Sequence, residues 1–498
     1  MKQPRIEPHA SVPYLCQIEL TYRCNSNCIF CYNPNRYKPL NILLVDQVVR
    51  SVSSSRIPHV YLIGGEPSLF SVEKLNEYIN LLSEHSSVTI VTNGLIKLIS
   101  ISEKLACFGV PIHGSDQKTH EFHTRTPGSF MKTLETIRHY IDRGFDVRCI
   151  PVLTNYNYDQ MYDIIKLAAS LGMESIYVDR YEDGGIGAKH SNIFNIKPSL
   201  EQFRQAVGQI IRAKNDFAVF AGRVGFGTAI PYCLDERLAD ENMLSNCGVG
   251  VDFCAINPEG GLRLCNQSEL VLGNILDEPI ECIWKKPTLD VYRDLSWVTE
   301  PCRSCDLLLD CTGGCKVDVN HCKTFCIDYA VRGCSRPDAG LVEKVRRSVV
   351  APVETYPVNY RFFRANRYAK LTTRHPERLL VTRYQTVKVD DMALEMSAAI
   401  IGGTRSEQEL IDKFSNRVDE HDVRVFVSQL FQVQAIDPAD AEDTGKPSTV
   451  WMSSTMSWVN CSWAGVMIAW LANTLIALVG SGSWKRRLKA CMNWAFPG

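Results

Sequence analysis

Three cysteines fall within eight residues, in Cys24-Asn25-Ser26-Asn27-Cys28-Ile29-Phe30-Cys31, directly after the apolar run 14–20. No other stretch restricts the chain as tightly. Soft thiolate ligands so close together suit an iron–sulfur cluster. The apolar run reads as a short buried strand, which puts the cysteines on the loop leaving its end. A cubane has four irons, so three local thiolates leave one iron open to a substrate or cosubstrate. A zinc knuckle or unrelated buried thiols are the alternative.

The 498 residues suffice for two to four domains with ample core. The formal net charge of −1 gives no reason to expect a nucleic-acid partner. Residues 1–13 hold prolines and charges but no apolar run, so no signal peptide is expected at that end. Of 20 cysteines, 12 lie between Cys233 and Cys334. Clustering of this kind reads as metal binding rather than disulfide stapling, and a cytoplasmic location is expected.

After the cysteine loop, β-rich apolar runs alternate with helical patterns. Strands are predicted at His59–Ile63 and at 88–92, 109–112, 147–152 and 175–179, with helices at 44–53, 72–84, 97–106, 130–143 and 158–171. With the strand before Cys24 this makes six parallel βα units. Chemistry in such barrels gathers at the C-terminal strand ends. Gly64-Gly65-Glu66-Pro67 falls there after the second strand, and Thr92-Asn93-Gly94 after the third.

The Cys-x3-Cys-x2-Cys spacing, with an aromatic before the last cysteine, resembles the radical S-adenosylmethionine (SAM) superfamily. The resemblance implies a partial (β/α)6 TIM-type barrel in an α/β chain. It also implies that the open iron of a 4Fe–4S cluster on Cys24, Cys28 and Cys31 chelates the methionine end of SAM. Reductive cleavage then yields a 5′-deoxyadenosyl radical that abstracts hydrogen from substrate. By the same resemblance Gly64, Gly65, Glu66 and Pro67 hold the SAM amino group, Thr92 and Asn93 line the site, Ser115 contacts the ribose, and Arg180 is a candidate for the SAM carboxylate.

Cys302-x2-Cys305-x5-Cys311-x3-Cys315 follows Cys247-x12-Gly260-x4-Cys265, with Cys334 downstream. This resembles the seven-cysteine pattern of the SPASM domain, a cysteine-rich extension of short hairpins and helices. That domain implies two auxiliary 4Fe–4S clusters: Cys247, Cys265 and Cys315 serve the first, and Cys302, Cys305, Cys311 and Cys334 the second. Cys254 and Cys233 are the candidates for the fourth ligand of the first cluster. Cys322 and Cys326 are extra; Cys326 could replace Cys334. Cys16, Cys107, Cys149 and Cys282 read as small core residues. Structural zinc is the alternative for the region.

From residue 374 the pattern changes to short β-rich runs at 379–383 and 386–389, then helices at 392–401, 407–414 and 419–431. This suggests a winged helix-turn-helix and resembles the PqqD-like peptide-recognition domain, in which a precursor's leader docks as an added strand. Asp419, Glu420 and Asp422 on the last helix argue against DNA. Residues 447–484 carry no charge and precede Lys485-Arg486-Arg487. An anchor at the membrane surface, a helix hairpin packed on the enzyme, a transmembrane span and a fused substrate-like segment are the readings of this tail.

The expected domains are therefore a radical SAM barrel over 1–225, a SPASM domain over 226–345, a PqqD-like domain over 360–440 and an apolar tail over 441–498. The expected function is maturation of a ribosomally made precursor peptide, bound through its leader, with flavodoxin or ferredoxin as electron donor. An anaerobic sulfatase-type protein maturase and a cluster-bearing DNA-binding redox sensor are the alternatives.

Overall fold

Strand β1 (Leu15–Glu19) is buried on both faces. Cys16 and Ile18 join the core under the helices, while Leu15 packs inside the barrel with Tyr61 and Ile63. Gln17 and Glu19 share the inward face by the strand's period of two. β1 begins the parallel series β2 (His59–Ile63), β3 (Ser87–Val91), β4 (Cys107–Val110), β5 (Val147–Cys149), then β6 (Val152–Leu153) and β7 (Ser175–Arg180). Pairing runs β1-β2-β3-β4-β5-β7, with the two-residue β6 beside β7. All six expected strands are present. A further parallel strand, β8 (Val224–Phe226), extends the sheet beyond β7.

The computed structural model describes residues 10–33, 35–182, 195–217, 220, 223–316, 328–331, 334–349, 362–374 and 377–439. Cys322, Cys326 and the tail from 441 lie outside the described residues.

Helices α1 (Ile42–Ser54), α2 (Val72–Leu82), α3 (Gln117–Thr124), α4 (Ser129–Asp142), α5 (Met161–Leu171) and α6 (Leu200–Asp216) supply the outer layer. α1 buries Val45, Val48, Val49 and Val52, and α2 buries Leu75, Ile79 and Leu82. Each such side chain is worth about 1.5–3 kcal/mol relative to exposure. Asn41, Ser71 and Asp116 cap α1, α2 and α3 by accepting the N–H of the residue three ahead.

The helix expected over 97–106 is absent. Asn76 instead accepts the Ser102 N–H at 2.7 Å and donates to the Ser100 carbonyl at 3.0 Å. Ser100 takes a left-handed φ of 64°. The apolar spacing there comes from Leu98, Ile101 and Leu105 plugging the core out of a turn-rich segment. In compensation α3, too polar to show a helical stripe, stands between β4 and α4.

The chain then returns. β9 (Phe253–Ile256) pairs parallel with β1 on the side opposite β2. β10 (Gly261–Arg263) and β11 (Val271–Asn274) continue antiparallel. Gly260, at φ 87°, makes the β9–β10 turn expected from Pro258-Glu259-Gly260-Gly261.

The described residues fall into two compact units, one within Met1–Val350 and one within Ala351–Val450. The second has a three-stranded antiparallel sheet, Lys370–Arg374, Glu377–Val381 and Thr386–Lys388 in that order, and a strand pair, Phe363–Ala365 with Ile436–Pro438. Its helices are Asp391–Ile401, Glu407–Phe414 and Glu420–Gln432. Ala393, Met396, Ile400, Leu410, Phe414, Val423, Phe426 and Leu430 form its core. Among the described residues no helix is long and apolar enough to cross a membrane.

Candidate active site

The cysteine loop is clamped from two sides. On one, Gly65 donates its N–H to the Thr21 carbonyl at 2.6 Å and Glu66 donates to the Arg23 carbonyl at 2.8 Å. A Cβ on Gly64 would stand 2.5 Å from the Thr21 oxygen, and one on Gly65 2.0 Å from the Arg23 oxygen. The two glycines thus let the β2 exit lie flat against the chain's own cysteine loop. On the other side Asn27 donates to the Thr124 carbonyl at 3.2 Å and Ile29 to the His123 carbonyl at 2.9 Å. The polar end of α3 is where the loop is fastened.

Cys24, Cys28 and Cys31 open on one cavity of about 320 Å³. The Ser26 hydroxyl lies 3.4 Å from Cys28 Sγ, and the Asn33 N–H reaches Cys31 Sγ at 3.4 Å. Arg36, which sequence reasoning missed, donates to the Ser26 and Cys28 carbonyls and lines the same cavity. Burial pushes the Cys24 thiol up to about 12 and Cys28 to about 11, and raises Cys31. Such thiols stay protonated until a metal supplies positive charge. Three soft donors, an N–H aimed at the Cys31 sulfur and a nearby guanidinium fit an iron–sulfur cluster. Among the described residues no three His, Cys, Asp or Glu side chains converge at single-ion distances. A cubane takes each thiolate on a separate iron and does not ask for such convergence.

Glu66 sets the neighbouring corner. Its buried carboxylate accepts the Ser68 N–H at 2.9 Å, the Thr92 hydroxyl at 2.6 Å and the Asn93 N–H at 2.8 Å. The Asn93 side chain donates to Asn25 Oδ1 at 2.7 Å, which returns the network to the cysteine loop. Gly64, Gly65, Glu66, Thr92 and Asn93 all line the cavity. Pro67 starts a buried single turn, Pro67–Leu69, off the cavity wall.

Two expectations change. Ser115 is not on the cavity wall: its N–H and hydroxyl both donate to Gln160 Oε1, at 3.0 and 3.1 Å. The groups that reach the wall from this segment are His113 and His120, with Phe30 tilted against His113 at 4.5 Å between centroids. Arg180 does line the cavity, but its guanidinium is 2.5 Å from Glu182 and 2.5 Å from Asp328, all three buried. It holds structure together and is not left for a ligand carboxylate. Asp179, beside it on β7, also lines the cavity, and burial pushes its carboxyl up to about 7.

The later cysteines form two groups. Cys247, Cys265 and Cys315 line the cavity already described. Cys302, Cys305, Cys311 and Cys334 surround a second cavity of about 40 Å³. Neither expected fourth ligand joins the first group. Cys254 sits opposite Cys16 in the β1–β9 register, buried beside it in the core as a free thiol. Cys233 lines the second cavity. Cys107 and Cys149 are buried, but Cys282 is exposed and is no core residue. Gly314, at φ 83°, lies against Asp328, where a Cβ would stand 2.5 Å from a carboxylate oxygen. Asp328 in turn accepts the Cys315 N–H at 2.8 Å.

Residues 18–168 match the radical SAM superfamily, and residues 247–306 match SPASM, an iron–sulfur cluster-binding domain. The chain carries a radical SAM domain and a SPASM domain. Those domains imply a 4Fe–4S cluster with SAM and auxiliary iron–sulfur clusters. Among proteins similar to this one, the PqqA peptide cyclase of Gluconobacter oxydans is 25% identical over 329 residues, covering 61% of this chain and 86% of its own. The AdoMet-dependent heme synthase of Methanosarcina barkeri is 24% identical over 330 residues, covering 61% and 91%. The solved fold of Streptococcus suis SuiB bound to precursor peptide SuiA superposes with a TM-score of 0.52 at 16% identity, over 66% of this chain and 77% of that one. SuiB bound to SAM gives 0.50 at 18% identity, over 64% and 76%. The likeness to SuiB extends the radical SAM barrel reading to the fold.

Proposed function

We propose that this chain is a radical SAM/SPASM maturase that modifies a ribosomally made precursor peptide. One observation carries the reading: Cys24, Cys28, Cys31 and the Glu66 corner line the same cavity as Cys247, Cys265 and Cys315. The peptide substrates named for similar proteins support it.

Cys24, Cys28 and Cys31 would hold the first cluster, and Gly64, Gly65, Glu66, Thr92 and Asn93 would frame SAM beside it. Bound there, the cluster and SAM supply one-electron cleavage and hydrogen abstraction. The chain's own residues do the rest. Glu66 fixes the β2 and β3 exits to each other, so the cavity keeps its shape. Ile63, Val91, Ile150, Val152 and Phe253 give it apolar walls that exclude water. Cys247, Cys265 and Cys315 would hold a second cluster on the same cavity, and Cys302, Cys305, Cys311 and Cys334 a third. Flavodoxin or ferredoxin would supply the electron.

The unit after residue 350 would be a winged helix-turn-helix that captures the leader. The support is its sheet order, which leaves Thr386–Lys388 at an edge whose backbone groups can take up an added strand. On the last helix Arg424 is paired with Glu420 and Glu407, so it offers no cationic face to phosphate. The tail over 441–498 would touch a membrane surface, a reading that rests on its composition alone.

Anaerobically reconstituted protein, SAM and dithionite should release 5′-deoxyadenosine, and Cys28→Ala should release none. Co-expression with the short frames beside its gene should shift the mass of one encoded peptide, and deletion of residues 360–440 should abolish that shift while leaving 5′-deoxyadenosine release intact. Modification that survives the deletion would remove the leader-binding role.

A further inference from the structure

Cys233 belongs to neither cysteine motif and lies outside the matched SPASM residues. Its surroundings are nonetheless those of a ligand. It follows Pro231 in the single turn Tyr232–Leu234, and the Tyr232 hydroxyl donates to the Asp310 carbonyl at 3.0 Å. That bond ties the turn to the short helix Leu308–Cys311, whose last residue is itself in the second cysteine group. Cys233 faces the same cavity as Cys334, whose thiol donates to the Ala330 carbonyl at 3.5 Å, and as Cys302 and Cys311. All five cysteines line the 40 Å³ cavity, walled also by Pro231, Pro301 and Leu307. A cubane has four irons, each taking one thiolate. Five thiols around one such site are therefore one more than it needs.

Cys302, Cys305 and Cys311 are fixed relative to one another by short-range structure. The Cys305 N–H donates to the Cys302 carbonyl at 3.0 Å and the Cys311 N–H to the Leu307 carbonyl at 2.8 Å. The remaining two thiols, Cys233 and Cys334, reach the cavity from outside that segment.

We propose that Cys233 and Cys334 share the fourth corner of the second auxiliary cluster, so that either thiolate alone completes it. The inference rests on the reading that this group holds an iron–sulfur cluster. It accounts for a thiol that no motif requires, held by a tyrosine bond to the ligand-bearing helix. The step exchanges one thiolate for another on the same iron: the incoming thiol releases its proton as the outgoing sulfur takes one up, and no electron moves.

The test counts iron and acid-labile sulfide per folded chain, with electron paramagnetic resonance of the reduced protein, in wild type, C233A, C334A and C233A/C334A. C254A serves as the control for loss of a core thiol. Each single variant should keep the wild-type iron content, with the resonance of one cluster shifted in C334A. The double variant should lose iron equivalent to one cluster. Loss of that cluster in C334A alone overturns the proposal, and so does wild-type iron in the double variant. If C334A does not fold, C334V, which likewise offers no ligand atom, carries the same two outcomes. Wild type that holds no more iron than the Cys24, Cys28 and Cys31 cluster requires would overturn both the proposal and the reading beneath it.

Discussion

Arg180 and Asp328 stand 148 residues apart in sequence and meet as a buried ion pair, with two guanidinium nitrogens 3.1 and 2.5 Å from the two carboxylate oxygens. Arg180 ends β7, the last strand of the parallel series before β8, and Asp328 accepts the Cys315 N–H and lies against the glycine before it. The pair thus fixes where a cysteine of the later group stands on the barrel's cavity.

Arg180→Met would take the guanidinium away from the buried Glu182 and Asp328. Removing one partner of such a set costs about 3–5 kcal/mol. Thermal unfolding of the reconstituted protein should shift down accordingly, with iron lost from the site of Cys315. An unchanged midpoint would show that water already reaches the carboxylates.

Gly65→Ala puts a methyl where the Arg23 carbonyl oxygen stands. Backbone cannot yield as a side-chain end can, so the cysteine loop must move. The variant should keep its auxiliary iron and lose the SAM-induced resonance change of the first cluster. A normal SAM response would mean that the clamp is dispensable.

Glu66→Gln turns one acceptor into a donor against the Ser68, Thr92 and Asn93 donors. Leaving one buried group unsatisfied costs about 1–3 kcal/mol, which corresponds to roughly 5- to 150-fold. Equilibrium binding of S-adenosylhomocysteine should weaken within that range. Unchanged affinity would separate Glu66 from the ligand site.

Asp179 gives a pH signature. Its carboxyl is raised to about 7 in the fold, against 3.8 as its usual value. Between those pH values the folded protein keeps a proton that the unfolded chain has released. Stability should therefore fall as pH rises from 4 to 7 and level off above, by up to about 4 kcal/mol. Asp179→Asn should lack that fall. The difference between the two unfolding midpoints, followed from pH 5 to 8, isolates this group from others that titrate. A constant difference would sink the assignment.

The parallel strands were legible because each is a continuous apolar run, and continuous runs mark strands buried on both faces. The cysteine spacings were legible because they are local. What escaped was set by distant partners. Residues 97–106 have helical spacing, but Asn76 intercepts their backbone groups. Cys254 lies among the later cysteines where a fourth ligand was wanted, and only the β1–β9 register turns it to Cys16. Arg180 follows a strand end as a carboxylate-binding arginine would, and the Asp328 that occupies it is far along the chain. The side chains that replace Ser115 at the wall, His113 and His120, were in the sequence beside it, but nothing local says which of them faces inward.

The place of β9 beside β1 has a bearing on biogenesis. β1 and the loop that carries the three thiols are made well before residues 253–256, and one long edge of that strand stays open until those residues have been translated. Until then the oxidation-prone sulfurs follow a strand paired along one edge only, and the second edge closes when the chain has doubled back.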